Sequence, residues 1–216
     1  MRQTNRVVLA TNNRGKTEEF KALFTNYPEY EILAANEVIQ NVDKIGSVET
    51  HKTYAENAAA KARLVGNACH YPSLADDTGL EVEALGGKPG VESHRFAKSP
   101  EGSSFSRAEQ DKANVELLLS ELSKKPGTRK AQFVCHLALF IEGVVITSKG
   151  VLEGVILDAP RGSNGFGYDS VFVPKGSKRT LAEMSNTEKN LISHRARAIH
   201  ELVNQLKTRG IALART

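Results

Sequence analysis

The sequence predicts an α/β fold in which a mixed central sheet carries flanking helices. Strand-like and helix-like segments alternate through the first half of the chain, as in sheets covered by helices. From residue 130 the pattern changes to alternating strands with Glu-Gly turns, which is typical of antiparallel pairs. Three Ser or Thr residues precede a Glu by three positions, the spacing of a helix-opening capping box. The 216 residues suit one domain with two lobes, the hairpin-rich lobe covering roughly 130–175.

Side-chain periodicity and capping spacings place the individual elements. Phe20, Leu23 and Phe24 recur at i, i+3 and i+4, so they predict a helix after the first strand. Thr53, Ser106 and Ser185 each precede a Glu by three positions and open three further helices. In chain order, the prediction is a strand at 6–10, a helix at 14–26, a strand at 31–35, a helix from 53, strands at 73–77 and 79–85 joined by a turn, a helix from 106 to about 122, two or three strands within 130–157, and one helix from 185 to about 206.

Composition indicates a soluble globular protein of the cytoplasm. Hydrophobic residues make up 40% and charged residues 25% of the chain, and no apolar stretch is long enough to span a membrane. The N-terminal apolar run is too short for a secretory signal. The two cysteines, Cys69 and Cys135, lie in apolar patterns and are expected to be free thiols. A net charge of +4, with 6% aromatic residues and no Trp, suits an anionic ligand but does not favour nucleic-acid binding.

The stretch "ATNNRGKT" at 10–17 lies between a predicted strand and a predicted helix. A helix N-terminus attracts anions through its free N–H groups and its dipole, and Asn13 and Lys16 add a donor and a cation. The string also resembles a degenerate P-loop, with Ala10 in place of the first glycine. Its single glycine and the bulky Asn12-Asn13-Arg14 argue against a phosphate-wrapping loop. An ordinary capped turn remains the alternative.

Two adjacent carboxylates, Asp76 and Asp77, end the predicted strand in "SLADDTGLEV". Neighbouring strand residues point to opposite faces, so each carboxylate should have its own surroundings. Glu56 is explained as a helix cap, whereas Glu49 has no such role and is a candidate oxygen ligand. Carboxylates together with substrate phosphates suit Mg²⁺. The alternative is a turn in which one Asp binds backbone amides.

A glycine-rich loop, "GSNGFGYD", and a basic segment, "EKNLISHRA", form the last candidate stretches. Phe166 and Tyr168 on a loop could stack on a base, although a plain hairpin turn explains the glycines equally well. Lys189, His194 and Arg195 are predicted on one helix, where spacings of five and six do not share a face. A solvated basic face is the alternative.

These stretches together resemble the inosine triphosphate pyrophosphatase family. The motifs occur in the family's order: T-x-N-x-x-K, E-T followed by E-N-A, A-D-D-[ST]-G-L, G-G-x-P-G-V, G-F-G-Y-D and E-K…S-H-R. The resemblance covers essentially the entire chain. It implies an elongated α/β fold with two lobes around a substrate cleft, a homodimer, and Mg²⁺-dependent hydrolysis of noncanonical purine triphosphates (ITP, dITP, XTP) to the monophosphate and pyrophosphate.

The resemblance also implies roles for individual residues. Asp77 would be the catalytic base and, with Glu49, a magnesium ligand. The substrate-binding positions would be Thr11, Asn12, Asn13, Arg14, Gly15, Lys16, Thr78, Phe166, Gly167, Tyr168, Asp169, Lys189, His194 and Arg195. Departures from the family pattern are His51, Glu92 and His94.

The last predictions concern recognition of the purine base and the alternative functions. Arg195 or backbone N–H groups would donate to the purine 6-oxo group, and sites of this kind discriminate by about 10⁴–10⁵. A related pyrophosphatase with other modified-base specificity is the first alternative. A P-loop NTPase would release orthophosphate instead. A basic nucleic-acid-binding module would show salt-dependent oligonucleotide binding and no need for Asp77.

Overall fold

A computed structural model describes residues 5–40, 42–100, 104–125 and 127–211. Its strands are β1 (Asn5–Leu9), β2 (Tyr30–Ala34), β3 (Ser73–Val82), β4 (Lys130–Ile141), β5 (Val144–Ile156) and β6 (Phe172–Pro174). Its α-helices are α1 (Arg14–Phe24), α2 (Tyr54–Cys69), α3 (Arg107–Ser123), α4 (Asn186–Ile192) and α5 (His194–Thr208).

The strands form one sheet in the order β2-β1-β3-β4-β5-β6. β1 pairs in parallel with both β2 and β3, whereas β5 and β6 are antiparallel. The sheet is therefore mixed, and the α/β class with flanking helices is confirmed.

The chain divides into two compact units, and the single-domain prediction stays a prediction. The first unit comprises residues 1–77, 135–150 and 194–216, and the second comprises 78–134 and 151–193. In the first unit, Val7 and Leu9 belong to a core with α1 and α5, while Val8 belongs to a second core with α2. This alternation follows from the two-residue period of a strand and buries β1 on both faces. The second unit has one core, which includes Leu80, Val82, Leu118, Phe133 and Phe172.

Two predicted boundaries are wrong. Thr78-Gly79 does not turn the chain, because β3 runs without interruption from Ser73 to Val82. Thr favours extended backbone, and Leu80 and Val82 continue the buried pattern beyond it. The C-terminal helix is two helices, α4 and α5, since Ser193 between them has extended backbone at φ −64°, ψ 154°.

The helix caps, the Glu-Gly turn and the free thiols are confirmed. Ser106 and Ser185 form complete capping boxes with Glu109 and Glu188. β4 and β5 are joined at Glu142-Gly143, where both residues have positive φ (49° and 82°), as in the two-residue turns that suit hairpin twist. Neither cysteine forms a disulfide. In the described part of the chain no helix has the length and apolar character that crossing a membrane requires.

Candidate active site

The N-terminus of α1 is capped by a side chain and surrounded by basic and polar residues. Asn13 caps the helix by accepting the Lys16 N–H at 3.2 Å, and its own N–H donates to Thr11 Oγ1 at 3.2 Å. The first turn contains no acidic side chain, while Arg14 and Gly15 are exposed. Because the dipole and the basic side chains favour the same charge, this turn suits a phosphate.

Asp76 lies at the centre of a buried ion network in the first unit. Lys16 Nζ lies 2.8 Å from Asp76 Oδ2 and 3.0 Å from Oδ1, and Arg195 Nε lies 3.6 Å from Oδ2. Arg195 also donates to Glu19 Oε2 at 3.1 Å. Burial acts to raise the pKa of Asp76, but Lys16, Arg195 and Lys61 outweigh it and hold the pKa well below the ordinary value. Asp76 is therefore an ionised anchor for two cations.

Asp77 has different partners and the opposite pKa shift. Its Oδ2 accepts from Asn57 Nδ2 at 3.0 Å, and its Oδ1 lies 3.9 Å from Lys61 Nζ. Burial raises the pKa of Asp77, and Lys61 and Asn57 only partly oppose it. The separate surroundings expected for the doublet are confirmed, but the doublet lies within a strand rather than at its end.

Lys61 joins the two carboxylates proposed as metal ligands. Its ammonium donates to Glu49 Oε1 at 2.6 Å and to the Asp76 backbone carbonyl at 2.5 Å, in addition to facing Asp77. Burial would lower the pKa of Lys61, but Asp76, Asp77 and Glu49 outweigh burial and raise it. Lys61 is therefore a buried, charged lysine within the carboxylate cluster.

Asn57, Lys61 and Glu19 are site residues that the sequence reasoning missed. A signal for two of them exists, because Asn57 and Lys61 are four positions apart on the buried face of α2, with Ala58 and Ala62. Polar side chains on such a face need buried partners. The backbone of His51 holds Asn57, donating to Oδ1 at 2.9 Å and accepting from Nδ2 at 3.4 Å. These contacts use no His51 side-chain atom, so the departure at this position leaves them intact.

The second unit holds a separate group of predicted residues around the glycine-rich loop. Asp169 is buried, and its Oδ2 accepts from the Phe166 N–H at 3.1 Å and from Lys189 Nζ at 2.7 Å. Lys189 Nζ also lies 4.9 Å from the centroid of the Phe166 ring. Gly165 has φ +78°, and a Cβ there would collide with the Asp169 carboxylate, so glycine is required.

The remaining predicted residues have the following places. Tyr168 is buried and donates its hydroxyl to the Ser93 carbonyl at 2.8 Å, and Thr78 is half-buried on β3. His194 and Arg195 are buried at the start of α5. The break at Ser193 puts Lys189 on a different helix from this pair, so the prediction of one helix carrying all three residues is wrong.

Comparison with known proteins places the chain in a family. Residues 7–205 match the model of the Ham1 family. This chain belongs to the Ham1 family. A Bacillus cereus protein named dITP/XTP pyrophosphatase is 40% identical over 210 residues, covering 95% of this chain and 97% of that protein. A protein of the same name from Aquifex aeolicus is 41% identical over 203 residues, covering 94% and 96%.

Solved Ham1 structures share the fold. The Ham1 protein of Staphylococcus aureus matches with a TM-score of 0.77 and 36% identity, covering 94% of this chain and 99% of that chain. A nucleoside-triphosphatase / dITP/XTP pyrophosphatase from Mycobacterium abscessus matches with a TM-score of 0.67 and 34% identity, covering 92% and 98%.

Glu49 and Asp77 are the carboxylates of this Ham1 chain that a divalent cation would use. Among the described residues, no group of three or more His, Cys, Asp or Glu side chains forms a complete metal cage. Glu49 and Asp77 instead supply two carboxylates to one ammonium. Mg²⁺ typically takes one or two carboxylates and completes its shell with water and substrate phosphates, so the pair suits such an ion.

Proposed function

We propose that this chain hydrolyses noncanonical purine nucleoside triphosphates (dITP, ITP and XTP) to the monophosphate and pyrophosphate. The observation that carries the proposal is the buried cluster in which Asp77, with a raised pKa, lies beside Glu49 and Lys61 in a chain of the Ham1 family. The relatives named dITP/XTP pyrophosphatase support the substrate class.

Asp77 is the proposed general base. A base works best when its pKa lies closer to the working pH, and burial moves the pKa of Asp77 in that direction. Asn57 donates to one carboxylate oxygen at 3.0 Å and so orients the carboxylate that would take the proton of the attacking water. Glu49 and Asp77 would hold Mg²⁺, which supplies charge neutralisation for the phosphates.

The triphosphate is proposed to bind at the start of α1. Arg14 and Gly15 would supply backbone N–H groups, and Thr11, Asn12 and Asn13 would supply polar side chains, at a helix N-terminus whose first turn has no acidic residue. Lys16 supplies a cation that the Asp76 carboxylate orients. Phosphoryl transfer depends mainly on such positioning and charge neutralisation.

The base-side assignments rest on the family resemblance. Phe166 would stack on the purine, and Lys189 with Asp169 would fix the ring of Phe166. Thr78, Gly167, Tyr168 and His194 are proposed on the same ground. Arg195 stays a candidate donor to the 6-oxo group. It already donates to Glu19 and lies near Asp76, so its primary role is that of a structural cation.

Further assignments remain proposals: a homodimer, a cytoplasmic location, and no nucleic-acid or membrane partner. The P-loop alternative receives no support, since the relatives reported above carry Ham1 or dITP/XTP pyrophosphatase names. The Asn13 cap also uses an N–H of the turn that a phosphate-wrapping loop would offer to its ligand.

The substrate class is tested by measuring kcat/KM for dITP, XTP, dGTP and dATP with Mg²⁺. We expect dITP and XTP to exceed dATP by at least about a hundredfold, because adenine presents a 6-amino donor where the site expects an acceptor. Equal values across the four nucleotides would contradict the substrate class. A preference for another modified base would favour the related-pyrophosphatase alternative.

Lys61→Met is expected to shift the acid limb of the kcat/KM profile for dITP to higher pH. Lys61 is the strongest cation opposing the raised pKa of Asp77, so its loss raises that pKa further and protonates the base at higher pH. Arg63→Met, an exposed position on the same helix, is the matched control and should leave the limb in place. An unmoved limb in Lys61→Met would contradict the assignment.

A further inference from the structure

Two successive amides of the glycine-rich loop are each held by a carboxylate in the second unit. The Phe166 N–H donates to Asp169 Oδ2 at 3.1 Å, and the Gly167 N–H donates to Asp111 Oδ2 at 2.9 Å. Asp169 belongs to the loop, whereas Asp111 lies on α3, 56 positions before Gly167 in the chain. The backbone on both sides of the Phe166 side chain is therefore fixed.

α3 holds a second segment near the same loop through Asn114. Asn114 is buried, accepts the Ala97 N–H at 2.8 Å, and donates to the Ser93 carbonyl at 3.2 Å. That carbonyl also accepts the hydroxyl of Tyr168 at 2.8 Å. Asp111 and Asn114 are three positions apart and therefore share one face of α3. This face binds the loop directly through Asp111 and indirectly through Asn114 and Ser93.

The two oxygens of Asp111 have different tasks. Oδ2 accepts the loop amide, and Oδ1 faces Arg107 Nε at 3.3 Å. The Arg107 side chain is 53% exposed and the Asp111 side chain only 17%. An exposed ion pair contributes little to stability, whereas a hydrogen bond from an amide N–H to a charged acceptor is among the stronger hydrogen bonds.

We propose that Asp111 is a positioning residue for base recognition, acting through the Gly167 amide to set the orientation of the Phe166 ring. This inference rests on the proposed function, because it assigns the ring to the purine. An unfixed loop would have to be ordered when the base binds, at a cost in affinity. The loss should therefore raise KM for the nucleotide and leave the handling of the phosphates unchanged.

The test compares Asp111→Ala, Asp111→Asn and Arg107→Ala with the wild type. Asparagine can still offer an oxygen to the Gly167 N–H, alanine cannot, and Arg107→Ala removes only the ion pair. We measure kcat and KM for dITP, inhibition by inorganic tripolyphosphate, and hydrogen exchange of the Gly167 amide by NMR. Thermal unfolding verifies that each variant is folded.

The expected result is confined to Asp111→Ala. Its KM for dITP should rise about tenfold, the effect of losing one charge-assisted hydrogen bond, with kcat within about twofold. Its inhibition constant for tripolyphosphate should not change, and the Gly167 amide should lose protection. Asp111→Asn should restore most of both properties, and Arg107→Ala should resemble the wild type.

Two results would overturn the inference. An unchanged KM in a folded Asp111→Ala protein would show that the Gly167 bond does not serve base recognition. A parallel rise in KM and in the tripolyphosphate constant would show a general structural effect. A wild type that leaves dITP intact would overturn the proposed function and the inference together, which separates that failure from the first two.

Discussion

Asp77→Asn is expected to lower kcat for dITP by roughly 10²–10⁴, the usual effect of removing a positioned general base. The amide retains the shape of the side chain and can still accept from Asn57, but it cannot take a proton from water. Asp158→Asn is the matched control, since that side chain is 92% exposed. Near-wild-type turnover in Asp77→Asn would contradict the assignment and direct the search to Asp76 or Glu49.

Asp77→Asn should lower kcat without lowering the free energy of unfolding. A carboxyl with a raised folded-state pKa contributes stability below its unfolded pKa and loses that contribution as pH rises through the folded pKa. At neutral pH the ionised Asp77 is therefore unfavourable for folding, and the Asn variant should be at least as stable as the wild type. Urea unfolding at pH 7 tests this, and a marked loss of stability would contradict the burial argument.

Asp76→Asn is expected to lower the free energy of unfolding by about 3–5 kcal/mol, because it leaves buried cations without their shared counterion. Lys16 and Arg195 both face Asp76, and the Arg195 side chain is only 3% exposed. Removing an exposed partner, as in Asp158→Asn beside Arg129 at 3.2 Å, should cost about 1 kcal/mol or less. Urea unfolding of the three proteins measures the difference.

The pH dependence gives a second check on Asp76. Its folded-state pKa is lowered, so its contribution is present above the unfolded pKa and is lost as pH falls through the folded pKa. The stability gap between wild type and Asp76→Asn should therefore be largest near neutral pH and shrink in strong acid. Equal destabilisation by Asp76→Asn and Asp158→Asn at pH 7 would refute the buried network.

Local chemistry made much of the fold predictable. Ser106 and Ser185 begin helices because each capping box satisfies free N–H groups without distant contacts. The prediction of a turn at Thr78-Gly79 is wrong because glycine permits a turn without requiring one, and burial of Leu80 and Val82 continues the strand. The break at Ser193 was not predicted, since no glycine or proline marks it.

Candidate site residues could be proposed from sequence where neighbours share a task, as at 11–16 and 166–169, and their roles stay predictions. The partners in the ion pairs could not be predicted, because they are far apart in the sequence and meet only in the folded chain. Lys16 lies 60 positions from Asp76, and Arg195 lies 176 positions from Glu19. Lys61 could have been suspected from its place on the apolar face of α2, but its carboxylate partners could not.

The products formed from dITP distinguish release of pyrophosphate from release of orthophosphate. Purified wild type with Mg²⁺ is incubated with dITP, and the products are separated by ion exchange, with Asp77→Asn as the control for contaminating enzymes. We expect dIMP and pyrophosphate in equal amounts, formed by Asp77→Asn at a rate lower by roughly 10²–10⁴. Formation of dIDP and orthophosphate would contradict this expectation.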